Sequence, residues 1–301
     1  ASGSGMYFCF GGRAENNPEA KMKRPKNERI TLTIVFVIFV LYAITLVYPF
    51  ITMFLNSFKL AGDFAADIWG IPLKPTIENY EAVFEYRWQK TSILGMFLNS
   101  AILSMIGVGI GILLSCMTSY IIAKYPFKGS KFIYSMVVVC MMIPTTGSLS
   151  ATYNLLFKTK LLNKFIGNFL MQGGFGGVFL YIYGYFKSVS WSYAESAFID
   201  GAGHARVFFQ IMLPQVMGGV MAFFLISFIS VWNDYFSQYL FLRAKPTIAV
   251  GAYMLMAKYK STGDWPKVFA GTTVVVIPTL IFFAIFSRKI MDNTSVGGIK
   301  G

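Results

Sequence analysis

Six stretches without a charged residue constrain this chain more than any other feature. They cover 30–58, 91–123, 132–157, 165–186, 207–233 and 268–287, and each is at least 20 residues long. A helix rises about 1.5 Å per residue, so about 20 residues cross a hydrocarbon core of about 30 Å. No soluble fold needs six such runs. Composition agrees: 13% of the residues are charged and 55% hydrophobic, against roughly 25% charged in soluble domains. The expected fold is all-α, a polytopic membrane protein with six transmembrane helices over 30–287. Flanking segments are 1–29 and 288–301.

Charge placement sets the expected topology. The formal net charge of +13 does not call for nucleic acid, because Lys and Arg gather at the ends of apolar runs, where they meet lipid headgroups. Arg13, Lys21, Lys23, Arg24, Lys26 and Arg29 precede the first run, which is too long for a signal-peptide core of about 7–15 residues. The N-terminus is therefore expected in the cytoplasm, and six spans return the C-terminus there. The opening Ala1–Gly5 reads as a linker or tag remnant, with Met6 or Met22 as a native start.

Within the runs, Gly107 with Gly111, and Gly173 with Gly177, make GxxxG pairs that suit close helix contacts. Pro144 and Pro278 are expected to kink or break their helices. Cys9, Cys116 and Cys140 show no CxxC spacing. Asp234 is the single ionisable group in apolar surroundings; it belongs in a cavity, against a partner helix or at an interface.

Residues 187–215, between the fourth and fifth runs, are too apolar for a solvated loop. Ser192-x-x-Glu195 matches a capping box, so a short helix starts at Ser192. Gly201 and Gly203 stop it, and a second helix runs from His204 until Pro214 interrupts it. The result is a helix–turn–helix knuckle whose side chains exceed what two short helices bury. Either membrane helices or another protein must cover them.

Glu195-x-Ala197-x₃-Gly201-x₉-Ile211-x-Leu213-Pro214 resembles the EAA loop of binding-protein-dependent ABC transporter permeases, with Ser196 in place of the second Ala. Asn56-Ser57-Phe58-Lys59, Asn99-Ser100, Met142-Ile143-Pro144 and Trp232-Asn233-Asp234 resemble the maltose-transporter-type branch. The resemblance implies a coupling helix seated in a cytoplasmic ATPase. Glu195, Ser196, Ala197, Asp200 and Gly201 would meet that partner, while Ile211, Leu213 and Pro214 hold the second helix. Lys300 and Gly301 would reach toward the ATPase dimer. The segment 246–266, read as a loop with Gly251, Gly263, Asp264 and Trp265, would face an external solute-binding protein.

The implied activity is import of a di- or oligosaccharide by alternating access across a bacterial cytoplasmic (inner) membrane. Implied partners are a second homologous permease, two ATPase subunits, the solute-binding protein, the sugar and membrane lipid. No cofactor is expected in this chain; ATP and Mg belong to the ATPases, since no Gly-Lys pair and hence no P-loop occurs here. Tyr153, Asn154, Asn233 and Asp234 are candidate pathway residues. His204 is the only histidine, which excludes paired-histidine zinc chemistry and disfavours an intramembrane enzyme. An ion-coupled carrier is the alternative, but such carriers place several ionisable groups within their spans.

Overall fold

The computed structural model describes residues 26–143 and 147–294, with side chains from 30 to 285. The stretch 1–25 (with Met6, Met22 and Cys9), Pro144, and the tail carrying Lys300 and Gly301 lie outside the described residues. Contacts divide the chain into one unit up to Ile51 and a second from Thr52. Helix α1 (Lys26–Asn56) begins in the first and supplies an apolar stretch, Ile30–Asn56, long enough to span a membrane.

Among the described residues, three further helical stretches reach spanning length. Ile93–Lys124 joins α4 (Ile93–Ala101), a π-helical segment at Ile102–Gly107 and α5 (Val108–Lys124). His204–Asn233 joins α11 (His204–Arg206), a second π segment at Val207–Met212 and α12 (Leu213–Asn233), and the last is Trp265–Ile285 within α15 (Trp265–Thr294). Pro278 lies inside α15 without ending it; neighbouring groups and local adjustments absorb such prolines in membrane helices.

The other two charge-free runs are interrupted. Run 132–157 gives α6 (Ser130–Met142) and α7 (Ser148–Lys158), and run 165–186 gives α8 (Phe165–Met171) and α9 (Gly177–Ser188). The break between α8 and α9 holds Gly173, Gly174 and Gly176 within five residues, and glycine weakens a helix interior. Gly173 and Gly177 therefore do not form one helix face. Gly107 and Gly111 do: a Cβ on Gly107 would sit 2.8 Å from Gln172 Nε2, and one on Gly111 would sit 3.2 Å from Gln172 Cβ. The absence of side chains there lets the α8–α9 break lie against the span.

Smaller elements complete the second unit. After α1 come α2 (Ala61–Ala66) and α3 (Glu78–Glu85), then a hairpin pairing β1 (Arg87–Trp88) with β2 (Thr91–Ser92). α10 (Ser192–Ile199) forms the first arm of the knuckle, and α13 (Tyr235–Phe241) follows α12. The segment 246–266, expected as a loop, is mostly helix: α14 spans Ile248–Thr262. Thr247 caps its start by accepting a hydrogen bond from Val250 N, and Gly263 ends it at φ +73°. Gly251 lies inside α14, where a Cβ would meet Met96 Sδ at 2.3 Å. Asp264 occupies the turn and Trp265 opens α15.

Two apolar clusters lie toward opposite ends of α12. One gathers Tyr120 and Cys116 of α5, Ile182 and Phe186 of α9, and Val207, Phe208, Met212 and Val216 around the second π segment. The other gathers Val83 of α3, Met96 of α4, Phe228 and Trp232 of α12, Ile248 and Leu255 of α14, and Ala270 of α15.

Candidate coupling site

The knuckle is built on the end of α5. Lys124 Nζ donates to Val189 O just before α10, and the hydroxyl of Tyr125 shares a 2.8 Å hydrogen bond with His204 Nδ1. The loop after α5 and the knuckle therefore share one end of the unit. Rings fill the space between them. Tyr125 meets Trp191 edge-on at 5.6 Å, Phe198 meets His204 at 4.9 Å, and Tyr120 touches both Phe186 and Phe208. Edge-to-face contacts at these separations are favourable beyond the area they bury.

The turn between the arms is a Schellman closure. Ala202 N donates to Ala197 O at 2.9 Å and Gly201 N to Phe198 O at 3.0 Å, with Gly201 at φ +80°. Those bonds satisfy carbonyls left open at the end of α10. A side chain at 201 would meet no atom within 4 Å, so backbone strain, and not a clash, is what reserves the position for glycine.

Three sequence expectations change here. α10 begins at Ser192 as expected, but no capping box forms. Ser190 Oγ accepts from Ser192 N at 3.3 Å and pairs with Ser192 Oγ at 2.7 Å, leaving Ser192 already inside the helix. Ala197 is not part of an outward face. Ala194 and Ala197 are buried against the cluster, and their small side chains, three apart on one helix face, allow α10 to lie close on it. Pro214 does not interrupt the second arm. It occupies the first turn of α12, and the π segment just before it widens the turn where Gln210 O would otherwise need the missing N–H.

The opposite face of α10 is free. Glu195, Ser196, Asp200 and Gly201 are exposed, beside Tyr193 and an Ile199 that is 85% exposed. Ile211 and Leu213 are half-buried against the cluster. Tyr193 and the Tyr125–His204 contact were not singled out in the sequence; Ile199 stood in the motif only as part of its Ile199-Asp200-Gly201-Ala202 core. The exposure of Ile199 was readable from spacing, because it falls on the face opposite Ala194, Ala197 and Phe198.

The pathway candidates sit elsewhere. Tyr153 and Asn154 are exposed on α7, which packs against α13. Asn233 Nδ2 donates to Ile229 O. Asp234 caps α13, accepting from Ser237 N at 3.0 Å and from Gln238 Nε2 at 3.5 Å.

Apolar spans, two broken membrane helices and a knuckle packed on one face only define a membrane translocation subunit. The family described as "binding-protein-dependent transport system inner membrane component" matches residues 107–292, and this chain belongs to it. The chain is 27% identical to the diacetylchitobiose uptake system permease NgcG of Streptomyces coelicolor, over 87% of this chain and 86% of that one. It is 27% identical to the maltodextrin transport permease MalD of Streptococcus pneumoniae, over 95% of this chain and all of that one. A solved bacterial ABC transporter that imports the polysaccharide alginate superposes with a TM-score of 0.72 at 20% identity, covering 88% of this chain and 98% of that one. The protein is thus an ABC-importer permease subunit, not an enzyme; ATP hydrolysis resides in a separate subunit.

Proposed function

We propose that this chain imports a di- or oligosaccharide as one half of a permease pair, driven by two cytoplasmic ATPases that hold ATP and Mg and loaded by an external solute-binding protein. The observation that carries the reading is the one-sided packing of the knuckle. Its inner face is sealed by Ala194, Ala197 and Phe208, while Tyr193, Glu195, Ile199 and Asp200 stay exposed around a rigid Schellman turn. An arm so anchored transmits a push to α5 and α12 instead of yielding to it. Closure of the ATPases would move the knuckle, and the spans with it, so that the site opens alternately to each side. On this reading the knuckle, both termini and Lys300 with Gly301 are cytoplasmic, and α14 with Gly263, Asp264 and Trp265 lies toward the binding protein. Diverse sugar permeases among the relatives support the substrate class. Asp234 gives no support to an ion-coupled carrier, because its carboxylate already caps α13.

The test is co-purification followed by ATPase measurement with sugars and binding protein present. Glu195→Lys and Ile199→Glu should each lower stimulated turnover about tenfold or more, since losing a central interface anchor costs about 2 kcal/mol or more. Membrane insertion should be unchanged. Normal stimulation in both variants would refute the knuckle's role.

A further inference from the structure

The break between α8 and α9 borders a cavity of about 220 Å³, lined by Ser115 of α5, Gln172, Gly173, Phe175 and Gly176 of the break, and Ser227 of α12, among others. We infer that this cavity is a subsite for one ring of the transported sugar. The inference rests on the sugar-importer reading above and adds where in this chain the sugar is held.

Its depth is right. Ser115 lies nine residues from Lys124, the end of its span, which places it about 14 Å into the membrane by helical rise. Secondary transporters hold substrate near the midplane at discontinuous helices, and in any membrane protein irregular backbone at that depth is tolerated where it is buried or lines a cavity. The break here is of that kind. α9 starts at Gly177 with no side-chain cap, so its first N–H groups are open to a ligand.

Its polar groups are unmatched. Ser115 is only 4% exposed, yet its hydroxyl makes no hydrogen bond among the described residues while bordering the cavity. The side chains of Gln172 and Ser227 likewise make none there. A polar group that borders an enclosed space without a partner is costly, and the buried Ser115 hydroxyl with the half-buried Gln172 amide and Ser227 hydroxyl around one space point to a guest that both donates and accepts.

The lining also selects chemistry. No charged residue borders the cavity, so an ionic guest would lack a counter-charge. Phe175 and Ile112 add apolar surface beside the polar groups. A neutral pyranose ring has hydroxyls around its rim and C–H groups on its faces, and meets both kinds of surface. The volume lies below the roughly 300–1,000 Å³ of whole ligand sites, so one ring enters and the rest of the sugar lies outside it.

The test uses the assembled transporter in proteoliposomes with its binding protein, and radiolabelled maltotriose, trehalose and diacetylchitobiose as probes. Gln172→Leu keeps the volume but removes both polar atoms; Ser115→Ala and Ser227→Ala are small enough to preserve packing. Each variant should slow uptake of the transported probe about fivefold to tenfold, the factor for one lost hydrogen bond, while binding-protein-stimulated ATP turnover stays near wild type. Uptake near wild type in all three would overturn the subsite and leave a water-filled void. A matched fall in uptake and ATP turnover would also overturn it, as damage to the coupled machine. Failure of the wild-type complex to move any probe would sink the sugar reading itself, and the subsite with it.

Discussion

The two ends of α12 are held by different physics. At the knuckle end, rings and methyls dominate: Tyr120, Phe186, Phe208 and Met212 are buried together with Ala194 and Ala197, with the Lys124–Val189 and Tyr125–His204 bonds at the edge of the cluster. At the other end, directional bonds cross between elements. Asn79 Nδ2 donates to both Ser57 O and Lys59 O at 2.8 Å, Asn99 Nδ2 donates to Pro246 O, and Ser100 Oγ accepts from Ile248 N. Trp232 Nε1 also donates to Val275 O. Apolar packing is nondirectional and tolerates small shifts, whereas a buried hydrogen bond fails once its geometry does. The first end suits an arm that moves as a body. The second suits a frame that keeps its register.

The comparison breaks most visibly at Phe186, which is fully buried. Phe186→Ala should destabilise the detergent-solubilised protein by about 3–5 kcal/mol through lost contacts and a cavity. Met212→Leu, in the same cluster, should cost less than about 1.5 kcal/mol because volume is conserved. At the opposite end, a volume-conserving change should not be mild. Asn79→Leu strands two carbonyls, each worth about 1–3 kcal/mol when buried without a donor. Thermal unfolding of the three variants decides the matter. If Asn79→Leu were as benign as Met212→Leu, the two ends would not differ in kind.

How much of this was legible depended on which physical demand the residues had to meet. The apolar runs were legible because hydrocarbon permits almost no charge, whereas the outward face of α10 was not read although residue spacing carried it. The direction in which Ala197 faces was not legible, since a motif marks a residue without saying which side it faces; its burial against the apolar cluster is a tertiary fact. α14 was missed because Lys258 and Lys260 interrupt its apolar character, although Thr247 and Gly263 stood at its ends as start and stop signals. The α8–α9 break was hidden inside a run defined only by lack of charge, where three glycines counted as apolar.

Asp234 gives the smallest and sharpest test, because its charge and its shape can be separated. As a cap it needs only an acceptor oxygen for Ser237 N, which asparagine also presents. Asp and Asn are about equal as N-caps, while Ala costs about 1 kcal/mol. Asp234→Asn should therefore leave both unfolding temperature and sugar uptake near wild type, and Asp234→Ala should lower stability by about 1 kcal/mol. A carboxylate used for ion coupling would respond in the opposite order: neutralisation in Asp234→Asn would abolish uptake whatever the stability. Uptake lost in Asp234→Asn with unfolding unchanged would move this residue from the fixed frame to the translocation path.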